Sequence, residues 1–166
     1  MCSSDLPEGV TAISSSAFSG CTGLADVAIP FSVTSIDLNA FRECTSLTSV
    51  TIPESVTTIG ERAFSGCSGL TSILVQLGNP NYVSLGGVLF NAAQTEIILY
   101  PGGRVGAYTI PEGVTTLGNH AFYQCSGLTG VAIPSSVTTI GNGAFRNCTG
   151  LTSVTILHGV TRIGNY

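Results

Sequence analysis

Residues 55–72 read SVTTIGERAFSGCSGLTS, and residues 136–153 read SVTTIGNGAFRNCTGLTS. A stretch this short cannot bury its own apolar side, so near-verbatim repetition points to like units that stack, not to two copies of a catalytic site. Outward from these two stretches the same spacing governs most of the chain. Prolines stand at Pro7, Pro30 and Pro53 and again at Pro111 and Pro134, a step of 23 within each group. Phe18, Phe41 and Phe64, then Phe122 and Phe145, keep that step, as do Cys21, Cys44 and Cys67, then Cys125 and Cys148. The unit can be written L-x-x-V-x-I-P-x-x-V-T-x-I-x-x-x-A-F-x-x-C-x-x.

Within one unit, Val50–Pro53 alternates apolar and polar residues as a short strand does, and Pro53 closes it by removing a donor. A second extended piece, SVTTIG, ends at Gly60, and Ala63–Cys67 is too short for an ordinary helix and predicts a helical or 3₁₀ turn. The fold expected is a solenoid, mainly β, of parallel stacked coils. Val10, Val33, Val56, Val114, Val137 and Val160 form one inward column; Ile13, Ile36, Ile59, Leu117, Ile140 and Ile163 form another. Six or seven coils at a strand spacing of about 4.8 Å give a rod roughly 30 Å long.

The pattern breaks between Cys67 and Cys125, where the step is 58. Residues 76–106 are expected to form a variant unit in which GGVLF and EIILY pair as a β-hairpin around a loop near Asn91–Thr95, with the array continuous on both sides. Residues 6–166 then make a single solenoid. Met1–Asp5 does not fit the pattern and is expected to be foreign to the natural protein. The chain stops in mid-pattern at VTRIGNY, as a piece of a longer protein does.

Composition excludes several classes of function. Charged residues are 8% of the 166, and the five basic residues, all arginine, face nine carboxylates for a net charge of −4. No basic cluster exists to neutralise phosphates, which argues against nucleic acid as partner and against docking on anionic membranes. No apolar run reaches the roughly 18 to 20 residues that span a bilayer.

The chemistry-bearing residues mostly keep to columns. The cysteines lack the short paired spacing of a zinc site, and side chains stacked in parallel hold their Cβ atoms too far apart for disulfides. They are expected to be buried free thiols acting as small hydrophobes. His120 and His158 occupy different columns and are expected at the surface. Glu8, Glu54 and Glu112 make a row of equivalent carboxylates, unlike the two contrasting ones that glycoside chemistry requires. Thr11, Thr34, Thr57, Thr115, Thr138 and Thr161 suit extended backbone. No cofactor or metal site is expected. Aromatic and arginine side chains that leave the columns are the candidate ligand-binding residues: Phe31, Tyr82, Tyr100, Tyr123 and Arg146.

The unit LTSVTIPESVTTIGERAFSGCSG resembles the BspA-type leucine-rich repeat, and the likeness runs from Leu6 to Asn165. The segment NPNY…GGVLFN…TEIILYP is similar to a longer variant unit of that family. The resemblance implies a leucine-rich-repeat solenoid in a cell-surface or secreted protein, without catalytic residues, adhering to host matrix proteins or other cells. The expected function is recognition of a protein or glycan ligand. A structural spacer, an intracellular interaction scaffold and, least, an enzyme using His120 or His158 are the alternatives, and exposed coil edges raise end-to-end self-association of the chain.

Overall fold

The computed structural model describes residues 6–165, so the expectation for Met1–Asp5 lies outside the described residues. Among the described residues fourteen short strands follow one another. In chain order they are β1 (Ala12–Ile13), β2 (Ser35–Ile36), β3 (Ser49–Ile52), β4 (Thr58–Ile59), β5 (Ser72–Val75), β6 (Tyr82–Leu85) and β7 (Val88–Asn91). Then come β8 (Glu96–Leu99), β9 (Gly106–Thr109), β10 (Thr116–Leu117), β11 (Leu128–Ile133), β12 (Thr139–Ile140), β13 (Ser153–Ile156) and β14 (Arg162–Ile163). The V-T-x-I pieces stack in parallel with the register of the repeat: Ile13 faces Ile36, Ile36 faces Ile59, and Leu117 faces Ile140. The strands before the proline stack on the other side of the coil, with Val50 facing Ile73 and Val131 facing Val154.

The stacking columns are buried in the interior coils, whereas Val10, Ile59 and Val160 are only partly covered and Ile163, expected inward, is 67% exposed because no later coil covers it here. Val33, Val56 and Val137 are fully enclosed, and Phe41, Phe64 and Phe122 are buried with them. Rings of successive coils lie face to face: Phe18–Phe41 and Phe41–Phe64 have centroids 5.1 Å apart and planes within 6°. Repeated polar groups bond from coil to coil along the stack. The hydroxyls of Thr34, Thr57, Thr138 and Thr161 each donate to the backbone carbonyl of the threonine one coil earlier, at 3.1–3.3 Å. Cys44, Cys67 and Cys148 donate their thiols to the carbonyls of Phe18, Phe41 and Phe122 at 3.1, 3.1 and 2.9 Å. Cys44, Cys67, Cys125 and Cys148 are free thiols, as expected; Cys21 is disulfide-bonded, contrary to the expectation for its column. The neighbouring Cys44 thiol and burial push the Cys67 thiol up, so it stays protonated and unreactive.

The corners differ from the expected helical turns. Among the described residues no helix forms. Ala63, Ser65 and Cys67 donate to the carbonyls three residues back, but left-handed residues intervene at Arg62 (φ 57°) and Gly66 (φ 75°), so a 3₁₀ run cannot propagate. The groups freed by this zigzag bond the next coil, as in Phe41 N–H to the Ala63 carbonyl at 2.7 Å.

The variant unit holds the expected hairpin, β7–β8, and one strand more. Gly86 and Gly87, at φ 55° and 83°, turn β6 back against β7 as a two-residue hairpin loop requires. This meander closes the open edges of the first three coils. Tyr82 Oη accepts from Ile59 N–H at 2.9 Å, Asn81 Nδ2 donates to the Thr57 carbonyl at 2.8 Å, and Ile73 N–H donates to the Gly87 carbonyl at 2.9 Å. β8 then opens the second stack, Ile97 facing Leu117 in parallel. Side-chain alternation splits β7 between two cores: Leu89 packs with Phe41 and Phe64, whereas Val88 and Phe90 pack with Phe122.

Candidate functional site

A repeat that spends its own polar groups on neighbouring coils leaves recognition to positions where the repeat fails. In a regular corner, Gly60, Glu61, Arg62 and Ala63 separate Ile59 from Phe64; in the variant coil only Ile98 and Leu99 separate Ile97 from Tyr100. Tyr100 nonetheless takes the phenylalanine position, since its N–H bonds the Ala121 carbonyl at 2.7 Å and its ring stacks on Phe122 at 4.9 Å. The corner of that coil therefore falls short. A cavity of about 180 Å³ opens between the third and fifth coils, floored by Ile59, Ile98 and Leu99 and walled by Glu61, Arg62, Glu96, Asn119 and His120.

Side chains bridge this notch. Asn119 Nδ2 donates to Glu61 Oε1 at 3.0 Å, and Arg62 Nη2 lies 2.6 Å from His120 Nε2. A guanidinium only donates, so Nε2 accepts and the imidazole proton sits on Nδ1. That Nδ1 has no hydrogen-bond partner and lies 4.0 Å from Glu61 Oε1. Arg62 and His120 both hold left-handed backbone, at φ 57° and 59°, which is what aims them across the gap. Tyr123 covers the pair, its ring 5.5 Å from the Arg62 guanidinium and edge-on to His120 at 5.7 Å. From Asn119 a ladder runs up the later coils, its Oδ1 accepting from Asn142 N–H at 2.8 Å and Asn142 Oδ1 accepting from Asn165 N–H at 2.9 Å.

Burial first and Arg62 second, with Arg146 adding less than the opposing pull of Glu61, hold the His120 imidazole below its ordinary range. Burial raises the Glu96 carboxyl. A histidine depressed in the folded state contributes stability that is complete above the unfolded pKa of about 6.5 and is lost as pH falls through the folded value. Glu96 acts in the opposite sense just above the ordinary carboxyl range. Comparison with His120→Gln isolates the first effect: the native chain should lose more melting temperature between pH 7 and pH 5 than the variant. Equal losses would show that His120 is not held neutral.

The candidate residues do not converge. Phe31 stands 64% exposed on the turn after Pro30; two coils along the same file Leu77 is 99% exposed, with Glu54 between them. Tyr123, half-buried, and Arg146, exposed, lie on successive corners beside His120. Tyr82 is half-buried, with its hydroxyl engaged at the sheet edge. Tyr100, 3% exposed, is part of the aromatic column, which takes it off the surface expected for it. His120, expected at the surface, is 9% exposed because the corners on either side close over it; His158 is exposed as expected. Glu61, Arg62 and Asn119 were not among the expected site residues. Their only signals in the sequence are the 58-residue step and the recurring Gly-Asn of residues 118–119, 141–142 and 164–165. No group of three or more metal-ligating side chains occurs among the described residues, and no helix there is long and apolar enough to cross a membrane.

Comparison with known proteins agrees with this geometry. A leucine rich cell surface protein of Faecalibacterium prausnitzii A2-165 superposes with a TM-score of 0.82 at 39% identity, over 95% of this chain and 41% of that one. The pneumococcal vaccine antigen PcpA shares the fold, with a TM-score of 0.80 at 24% identity over 96% of this chain and 46% of its own. A leucine-rich repeat protein of Eubacterium ventriosum gives 0.57 at 25% identity, over 94% of this chain and 59% of that one. The chain thus spans less than two thirds of each of these structures. The search of curated proteins gives no match. The BspA type leucine rich repeat region matches residues 1–103 and 102–166, in six copies. With that match covering the chain, it belongs to the BspA-type leucine-rich-repeat family.

Proposed function

We propose that this chain is a non-catalytic recognition module of a cell-surface or secreted protein, binding a protein or glycan ligand through its exposed non-periodic side chains. The observation that carries this reading is the file Phe31–Glu54–Leu77. Repeated threonine hydroxyls and cysteine thiols are used between coils, whereas Phe31 and Leu77 project into solvent around a carboxylate. Neighbouring large apolar groups left in solvent on a rigid scaffold mark an interaction surface. The surface location is supported by the description of the F. prausnitzii protein. The test is surface plasmon resonance of the chain over immobilised fibronectin, laminin and collagen. The paired substitution Phe31→Ser and Leu77→Ser should weaken any binding by about tenfold or more while leaving the melting temperature unchanged, since neither side chain is in a core. Binding that survives both changes would remove this file from the interface.

A second reading, end-to-end association of the chain, is favoured by the last coil, where Val154, Ile156, Leu157 and Ile163 are 44–67% exposed. Sedimentation at rising concentration measures it.

A further inference from the structure

At the notch the backbone ladder between coils lacks a rung. In the second coil the corner amides of Asn39, Phe41 and Glu43 donate to the carbonyls of Glu61, Ala63 and Ser65 at 2.7–3.1 Å. In the fifth coil those of His120, Phe122 and Gln124 donate to Asn142, Ala144 and Arg146 at 2.8–2.9 Å. The equivalent amides of the third coil, Arg62, Phe64 and Gly66, find no backbone acceptor among the described residues. Across from them the Ala121 carbonyl takes the Tyr100 N–H, and the Asn119 and Tyr123 carbonyls receive no backbone N–H. Unpaired backbone groups in an interior are costly, and Phe64 is fully enclosed. On this side the third and fifth corners are therefore tied by side chains, Glu61 to Asn119 and Arg62 to His120. Other faces stay bonded through the variant unit: Asn79 Nδ2 donates to the Pro53 and Val56 carbonyls at 2.8 and 2.9 Å, and Gly103 N–H to the Leu70 carbonyl at 2.8 Å. A joint that is firm on one side and weakly tied on the other opens on the weak side first.

The Arg62–His120 tie requires a neutral imidazole. With one proton on Nδ1 and Nε2 accepting from Arg62, the ring can take a second proton only at Nε2, the atom 2.6 Å from the guanidinium. Two cations cannot share that contact in a buried corner. Around the ring stand Glu61 and Arg62 of the third corner, Glu96 of β8 across the cavity, Arg146 of the sixth corner and Tyr123 of its own. Glu61 favours a charged ring, but it lies 4.0 Å away on the Nδ1 side and leaves the clash at Nε2 unrelieved.

We propose that the seam between the third and fifth corners is an acid-operated hinge, closed while His120 accepts from Arg62 and opened on the corner side when a proton takes Nε2. The variant unit is its axis, and opening uncovers the apolar floor of the notch, Ile98 and Leu99. The depressed imidazole sets the sign: the tie is complete above about 6.5, the ordinary value regained in the open form, and is lost as pH falls from there toward the lower closed value.

Hydrogen exchange of single amides in the full chain, followed by NMR at pH 7 and pH 5 and corrected for the intrinsic pH dependence of amide exchange, tests the hinge. The Phe64 and Gly66 amides, which have no backbone acceptor, should exchange about tenfold faster at pH 5, because an imidazole released to its ordinary value takes up its proton over that interval. The Phe41 and Phe122 amides, bonded to coils outside the seam, should keep their corrected rates, which separates local opening from loss of overall stability. In His120→Gln the side-chain oxygen still accepts from Arg62 and does not titrate, so the rise at Phe64 and Gly66 should vanish. Arg62→Met removes the tie at either pH and should give fast exchange at both. Rates at Phe64 and Gly66 that are unchanged or slower at pH 5, as when the charged ring settles on Glu61 and tightens the seam, overturn the proposal. A rise that persists in His120→Gln assigns the opening to Glu61 or Glu96 and overturns it as well, and so does an equal rise at Phe41 and Phe122.

Discussion

Replacing Phe122 with alanine is expected to lower the melting temperature by about 10–15 °C. The ring is fully buried and contacts three other aromatics, with centroids at 4.9 Å to Tyr100, 4.9 Å to Phe145 and 6.1 Å to Tyr108. Truncating a buried phenylalanine costs about 3–5 kcal/mol through lost transfer energy and the cavity left behind. In a chain of this length each kcal/mol moves the midpoint by about 2–4 °C. Neighbours cannot collapse into the space, because backbone bonds such as Phe122 N–H to the Ala144 carbonyl at 2.8 Å hold the coil spacing. Phe31→Ala, at a largely exposed ring, serves as the control and should stay within about 0.5 kcal/mol. A Phe122→Ala shift no larger than that of the control would mean that the column does not support the stack.

Leu89→Ala is expected to do more than destabilise: it should split the melting curve. Leu89 is the fully buried residue of β7 that faces the first core, while Phe90 and Val88 face the second. The direct loss is about 2–5 kcal/mol. Nearest-neighbour coupling in a solenoid runs through contacts between adjacent units, so weakening the shared element separates the units thermally. Calorimetry of the native chain should show one transition, and of Leu89→Ala two, the lower belonging to the coils that hold Phe41 and Phe64. A single transition displaced as a whole would show that the two cores are coupled by other means, chiefly the Arg62–His120 and Glu61–Asn119 bridges.

The core was legible in the sequence because a period of 23 fixes which residues repeat the same environment, and Val33, Val56 and Val137 are enclosed accordingly. The hairpin was legible from its two apolar runs. β6 escaped notice although Gly86-Gly87, the marker of its turn, is adjacent to it. The helical reading of Ala63–Cys67 failed because the left-handed residue before Ala63 is an arginine, with no sign in its chemistry of the φ it adopts. Tyr100 reads as a surface aromatic in the sequence because the shortened corner moves it out of step with the phenylalanines it replaces. The notch is harder still, since it arises from two residues that the variant corner lacks. Its partners stand 58 positions apart, a distance no local pattern connects.

The bonds between coils all lie along the direction in which the coils are stacked, threonine to threonine and cysteine to phenylalanine. A rod gripped at both ends is therefore loaded one rung at a time, as a zipper is, and yields by peeling single turns. Each turn released adds roughly 75–80 Å of slack, the extended length of its chain. The doubly buried β7 is the stop at which such peeling pauses, so tension would spare one half of the molecule while the other pays out.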